Sequence, residues 1–491
     1  MQLYNTLSKK VETFQSLSEL RGGSEEPKQV KMYACGPTVY DYTHIGHLRK
    51  YVMDDVLVRT LRHAGYDVRH VQNITDVGHL ASDEDEGEDK MEKGARKYGQ
   101  TAWEVAKKFE EYFWYSLDLM GVVRPTLSCR ATEHVQSQLE MVLDLEQKGF
   151  TYVIPEDGVY FDTAKLKRYG ELSGHDPRQA NRESRLGEVA GKRNPSDFAL
   201  WKFERAGENR QMVWPSPWHP RSFPGWHIEC SAMSIEHLGP ELDIHTGGID
   251  HIAVHHANEI AQSETYSAKR PFARFWVHHN FLRVDGEKMS KSLGNFYTID
   301  DILAKGYQPT ALRLLFIGSH YRSEQNFTFQ SLDASQSAWH KLVRECLTIK
   351  ANRSSVDDDV DDLSPAKQLE TEFFQAVEND LDTPQALAVL WRLLKSSLDN
   401  RQKYRLLLEF DQVLGLGLAS LSEADLPKTS SEKLQVADLP KDLQKLFAKR
   451  EAARQEKNFQ VADEIRQQFA TAGYQLLDQA TGVEIKRSKA H

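Results

Sequence analysis

The sequence predicts an α/β protein: a parallel-sheet domain carrying an insertion, followed by a helical region and a small C-terminal unit. Three observations predict it. A strand, a long helix and a second strand succeed one another between Lys28 and Asp76, the pattern of a parallel crossover unit. Past residue 330 the chain turns to helical periodicity. A polar stretch, Ser422–Lys433, then sets off a last segment whose charge differs from that of the rest.

The elements follow in order. Val30, Met32 and Ala34 alternate with polar neighbours, and the run stops at Gly36-Pro37; it reads as a strand ending in a loop. Val52, Met53, Val56, Leu57 and Leu61 recur at helical spacing, and Gly65 closes that helix. Tyr66–Asp76 reads as the second strand, and ligands of such a unit sit at strand C-termini. The acidic tract Asp83–Asp89 reads as a solvated loop, with no ligand spacing for a metal. Gln100–Met120 has an amphipathic helical pattern. From about 125 to 220 the texture is mixed, with a short strand at Gly158–Asp162 and a polar stretch at Gly174–Pro195, as expected of an insertion. Glu241–Asp250 reads as another core strand, breaking at Gly247-Gly248. Ser337–Lys350 and Thr383–Leu414 are helical, with the acidic run Asp357–Asp362 as a loop between them.

The expected boundaries are 1–120 for the first half of the sheet domain and 121–220 for the insertion. The second half takes 221–330, the helical bundle 331–425, and the linker with the terminal unit 426–491. A length of 491 residues suits about three units.

Composition excludes several classes. With 40% apolar and 27% charged residues the chain is neither wholly disordered nor fibrous. Four cysteines, none in a CxxC pair, make no disulfide framework and fit a reducing, cytoplasmic setting. The start lacks a basic segment followed by an apolar run, and no stretch of about 18 apolar residues exists, so no membrane partner is expected. The net charge of −10 argues against a chain built wholly to wrap nucleic acid, yet residues 441–491 hold ten Lys/Arg against seven Asp/Glu, a local +3.

Three motifs carry chemistry. His44-Ile45-Gly46-His47 opens a helix after a strand. A helix start offers unpaired N–H groups and partial positive charge, Gly46 clears room against the backbone, and the two imidazoles can donate to phosphate oxygens. Lys288-Met289-Ser290-Lys291-Ser292 sets two lysines and two hydroxyls on a Gly-flanked loop, equipment for the charge that grows on a leaving pyrophosphate. Cys35, Cys230, His255 and Glu259 are candidate metal ligands. His255 and Glu259 are spaced i,i+4 and so share a helix face, and His256 is an alternative to His255.

These motifs, in this order, resemble the class I aminoacyl-tRNA synthetases. YACGPTVYDYTHIGH, NITD, PGWHIECSAMS, DIHTGGID, HHANE and KMSKSLGNF narrow the resemblance to the cysteine-specific members. After NITD this chain departs from many relatives, with Val77-Gly78-His79 and the acidic tract. The resemblance implies a Rossmann-like catalytic domain and an anticodon-side helical domain. It implies activation of L-cysteine by ATP with Mg2+ to an adenylate, then transfer to the 3′ end of a cysteine tRNA, in a monomer. It assigns His44, Gly46, His47, Lys288, Ser290 and Lys291 to ATP, with His44, His47, Lys288 and Lys291 catalytic. One Zn2+ falls to Cys35, Cys230, His255 and Glu259, and the cysteine pocket to Thr75, Trp226, His245 and Asp250. Zinc favours a soft thiolate over a hydroxyl, which an apolar pocket separates poorly. The competing reading is a related ligase that passes the cysteinyl group to a small amine; a further one, a non-catalytic RNA or metal binder, fits poorly with intact motifs.

Overall fold

Five strands, all parallel, form the central sheet of the structure, a computed structural model. The residues it describes are 1–22, 28–78, 89–174, 190–291, 293–353, 364–426, 436–456, 458–479 and 482–487. Ser292, most of the tract Asp83–Asp89, the run Asp357–Asp362, much of Gly174–Pro195 and the greater part of the linker lie outside them. The chain divides into two compact units, Met1–Ser420 and Leu421–His491.

In the first unit the strands stand in the order Ala273–His279, Leu242–Gly248, Lys28–Ala34, Tyr66–Ile74, Leu127–Arg130. The alternation at Val30, Met32 and Ala34 becomes a strand buried on both faces near its end, as a parallel sheet covered by helices requires. Helix Ile45–His63 makes the crossover, and Gly65 takes a left-handed φ of 88° just past its cap at Ala64. Helix Ala102–Leu119 starts on a Thr101–Glu104 capping box.

The insertion is shorter than expected. Leu127–Arg130, inside the segment read as insertion, pairs in parallel with Tyr66–Ile74 and is the edge strand of the central sheet. The inserted antiparallel sheet consists of Thr151–Ile154, Gly158–Phe161, Phe198–Phe203 and Ser222–Pro224. Four-residue Leu127–Arg130 is too short to show an alternation, which is why periodicity did not separate it.

Helices Phe329–Ala351, Ser364–Glu378, Thr383–Lys395 and Asn400–Leu414 belong to the first unit rather than to a free-standing domain. Arg313, fully buried, donates to Asp55 Oδ2 (2.5 Å), Leu414 O (2.7 Å) and Met120 O (3.0 Å), joining the crossover helix to the last of these four. Asp380 likewise accepts from Tyr4 N, Tyr321 Oη and Arg322 Nε. The second unit packs helices Lys441–Gln455 and Phe459–Thr471 on the hairpin Tyr474–Gln479/Gly482–Arg487, around Leu443, Ile465, Phe469 and Ile485. Among the described residues no helix is long and apolar enough to cross a membrane.

Candidate active site and metal centre

From Lys28–Ala34 the chain winds outward through two strands, then returns to the other side at Leu242–Gly248. The crevice beyond the C-terminal ends of these two neighbours is the topological switch point, where open parallel sheets place ligands. Cys35 opens it: its N–H donates to Thr246 O (3.1 Å), while Lys50 of the crossover helix donates to its carbonyl (2.6 Å). Helix Trp226–Leu238 brings Cys230, and helix His255–Ser267 brings His255, His256 and Glu259. Gly247 lets this second helix approach, since a Cβ there would stand 2.5 Å from the His256 ring.

The four expected ligands converge. One donor atom from each of Cys35, Cys230, His255 and Glu259 lies within 4.8 Å of every other, and all four residues are buried. A second quartet, Cys35, His245, His256 and Glu259, meets the same limit. Glu259 is the hub, with Oε1 2.9 Å from His255 Nε2 and Oε2 2.8 Å from His245 Nε2. His256 Nε2 stands 3.3 Å from Cys35 Sγ, and its Nδ1 bonds His278 Nε2 (2.7 Å). Burial pushes the Cys35 thiol up, and the Cys35 thiol together with burial pushes Cys230 well above its ordinary range. Burial alone would pull His255 down, but Glu259 and Cys230 outweigh it and raise His255 to about 10. For Glu259 burial acts upward and is overcome by His245 and His255, which hold the carboxyl well below its usual range. A cation placed among these donors inverts the balance and drives the protons off.

The four residues expected around cysteine stand at different depths. Thr75 is buried, donating to Glu229 Oε2 (3.1 Å) and accepting from Asn73 Nδ2 (3.0 Å). The half-buried Trp226 ring lies 4.6 Å from that of His255. His245 is fully buried, stacked on Trp276 at 4.6 Å, so that it orients Glu259 from behind. Asp250 is exposed on the rim, in the short 3-10 turn after the strand.

The phosphate motifs meet each other. His44 caps the crossover helix, its Nδ1 accepting from Gly46 N (3.1 Å) and His47 N (3.3 Å). Ile45 N donates to Tyr297 O and Leu48 N to His44 O. The N–H groups of Ile45, Gly46 and His47, which the helix itself leaves unpaired, are therefore satisfied within the chain, which corrects the expectation that they are left for phosphate. An Nδ1 that accepts leaves His44 neutral with its proton on Nε2, a donor free to face outward. The His44 and His47 rings stack at 3.6 Å. A Cβ on Gly46 would lie 3.0 Å from the His44 ring and 3.4 Å from Met289 Cε, so the two motifs touch across this glycine. Lys288 is exposed, and Lys291 pairs with Asp41 and lies 4.8 Å over Phe296.

Sequence reasoning missed several supporting residues. Asn295 staples the lysine loop, accepting from Ser290 N (2.7 Å) and donating to Lys288 O (3.2 Å). Asp41 pairs with Lys291 and also accepts from Tyr98 Oη (3.1 Å). His227 Nδ1 bonds His255 Nδ1 at 2.9 Å, and His278 supports His256. The signal open to a sequence reader was position: His227 adjoins Trp226, and His278 sits in an apolar strand where a histidine needs a partner.

Comparison with known proteins agrees with this geometry. Residues 23–337 match the family model for the tRNA synthetases class I (C) catalytic domain, and residues 436–485 match that for the cysteinyl-tRNA ligase anticodon binding domain. Cysteine–tRNA ligase 1 of Burkholderia lata is 44% identical, over 98% of this chain and 96% of its own. Cysteine–tRNA ligases of Zymomonas mobilis (40% identical, 97% of this chain and 95% of its own) and Treponema denticola (39%, 98% and 98%) are similarly related. Among solved structures, Mycobacterium tuberculosis methionyl-tRNA synthetase with methionyl-adenylate superposes with a TM-score of 0.55 at 15% identity, over 81% of this chain and 92% of its own. The LeuRS of Agrobacterium radiobacter K84 in a ternary complex gives 0.57 at 13% identity, over 82% and 86%. These two share the fold alone; the full-length identities and the two family models go further, and by them the chain belongs to the cysteine–tRNA ligase family of class I synthetases.

Proposed function

We propose that this protein joins L-cysteine to the 3′ end of its tRNA in two steps at the switch-point crevice, in the cytoplasm. A carboxylate oxygen of cysteine attacks the α-phosphorus of ATP, entering with Mg2+, and pyrophosphate leaves. A terminal ribose hydroxyl of the tRNA then attacks the carbonyl carbon of the adenylate, and AMP leaves.

The residues divide the work. His44 and His47 present imidazole donors to the phosphates across Gly46, which keeps the space between them and the lysine loop clear. Lys288, Ser290 and Lys291 meet the charge that appears on the pyrophosphate as the bond breaks. Asn295 holds that loop in shape. Trp226 walls the cysteine site, Thr75 and His245 fix its floor, and the exposed carboxylate of Asp250 suits the substrate ammonium.

Cys35, Cys230, His255 and Glu259 fit a zinc ion better than the alternative quartet does, because two sulfurs and one imidazole match its softness. Bound there, zinc supplies a soft Lewis acid for the substrate thiolate, which a serine hydroxyl matches poorly. His245 and His227 fix the orientations of Glu259 and His255, as outer hydrogen-bond partners of ligands do.

The observation that carries the reading is the convergence of two thiols, an imidazole and a carboxylate at the switch point of a class I fold. Acylation of cysteine tRNA, run beside cysteine-dependent ATP–pyrophosphate exchange, tests it. Exchange without any transfer to tRNA would favour the small-amine ligase instead.

A further inference from the structure

We propose a second metal site, at the surface, formed by His134, Glu236 and His237, for a divalent transition metal of the zinc, cobalt or nickel class. Donor atoms of the three lie within 4.8 Å of one another. His134 ends the short 3-10 turn Ala131–His134, where the chain leaves the edge strand of the central sheet. Glu236 and His237 occupy the last turn of helix Trp226–Leu238, which also carries Cys230.

The geometry is that of ligands already aimed. His134 Nδ1 bonds the Arg130 carbonyl at 2.7 Å. A carbonyl only accepts, so the proton sits on Nδ1 and Nε2 carries none, the tautomer a metal requires. That nitrogen accepts a hydrogen bond from His237 Nε2 (2.8 Å), with Glu236 Oε1 3.8 Å away; a metal replaces this bond once His237 moves its proton from Nε2 to Nδ1. Two imidazole nitrogens on a tetrahedral zinc, each at about 2.05 Å, stand roughly 3.3 Å apart. The pair must open by about half an ångström, which ring rotation supplies, while Glu236, 45% exposed, swings in.

Charge supports a cation here. The last turn of a helix carries partial negative charge, and Glu236 adds a full one. The positive charge of Arg69 lies close enough to act on His237 and opposes the cation. Two imidazoles and one carboxylate suit transition metals rather than magnesium or calcium. An ion here would clamp the end of the helix that carries Cys230 to the point where the insertion departs.

Cobalt titration tests this on the whole protein, because the two sites differ in colour. The buried quartet gives thiolate-to-cobalt charge-transfer absorption, and the surface site has no sulfur. We expect a further equivalent of Co2+ without that absorption, bound at least about tenfold more weakly in His237→Ala and in His134→Gln. Thermal melts confirm that each variant is folded, and Cys230→Ala should abolish the sulfur signal while leaving the surface equivalent in place. If folded wild type takes up no sulfur-free equivalent, or if both histidine variants bind it as tightly as wild type, the proposal is overturned. Failure of the buried site alone would appear as loss of the charge-transfer band and would leave the surface count untouched.

Discussion

Replacing Lys291 by alanine separates what a contact contributes at rest from what it contributes in a transition state. At rest Lys291 pairs with Asp41, and the two side chains are 48% and 18% exposed. A pair that open to solvent is worth about 0–1 kcal/mol, so folding stability should scarcely change. In the proposed reaction the same ammonium would meet charge on the departing pyrophosphate. Loss of one preorganised stabilising group typically costs about 2.7–4 kcal/mol, or roughly 10²–10³ in rate. Lys291→Ala should therefore slow cysteine-dependent ATP–pyrophosphate exchange by about that factor, with the cysteine KM little changed. Asp41→Asn should have the opposite signature, a lower ATP KM, because the phosphates no longer displace a carboxylate from Lys291. Exchange kinetics and urea unfolding of both variants decide the matter. An unchanged exchange rate with only a raised cysteine KM, or a stability loss well above 1 kcal/mol, would refute the reasoning.

Four further outcomes are expected. Cys230→Ala and His255→Ala should each lose the one tightly held ion of the buried quartet, measured by plasma emission after chelator has stripped weakly held metal, and cysteine activation should vanish with it. Arg313→Leu should cost about 1–3 kcal/mol in chemical unfolding, because it leaves the carbonyls of Leu414 and Met120 unsatisfied in the core, while Asp55 keeps Arg59 and the Val123 N–H. Truncation after Ser420 should leave cysteine-dependent exchange intact and sharply reduce tRNA charging, whereas truncation at 330 should melt the whole chain, as read by circular dichroism. Burial lifts Asp76 to about 6 despite hydrogen bonds from Thr132. The folded state then holds the proton more tightly than the unfolded chain does, so stability is lost as pH rises from about 4 to 6, by at most about 3 kcal/mol, and Asp76→Asn should flatten that slope.

What the sequence made legible was whatever has a period or a fixed spacing. Strand Lys28–Ala34, helix Ile45–His63 and strand Tyr66–Ile74 fall where alternation and the 3.6-residue repeat put them. The i,i+4 spacing of His255 and Glu259 survives as one helix face turned to Cys35. Illegible were contacts whose partners are far apart in the chain. Nothing near Arg313 announces Asp55 or Leu414, and nothing near Lys291 announces Asp41. The choice between His255 and His256 was also closed to spacing. Both imidazoles reach the cluster, and what distinguishes them is the company each keeps: His227 and Cys230 for His255, His278 for His256. The N–H groups of the crossover helix illustrate the converse. The sequence shows a helix start, but only the fold shows that Tyr297 and His44 have taken its donors.

The same distinction bears on the acceptor. From sequence the whole stretch after residue 330 looks like equipment for tRNA, superfluous for a ligase of small amines. The structure divides that stretch in two. Helices Phe329–Ala351 through Asn400–Leu414 share buried hydrogen bonds with the catalytic core through Arg313 and Asp380, so their presence is already explained by stability. Leu421–His491 is a separate compact unit with its own apolar core. Its segment 436–485 matches an anticodon-binding model, and residues 441–491 carry the local positive balance in an acidic protein. Beside the full-length likeness to cysteine–tRNA ligases, the feature of this chain that bears most directly on a tRNA acceptor is therefore these last 71 residues. That is why the cut after Ser420, and not one at 330, is the deletion that separates the two ligases: it removes the unit that matches an anticodon-binding model and leaves the activation chemistry to report on itself.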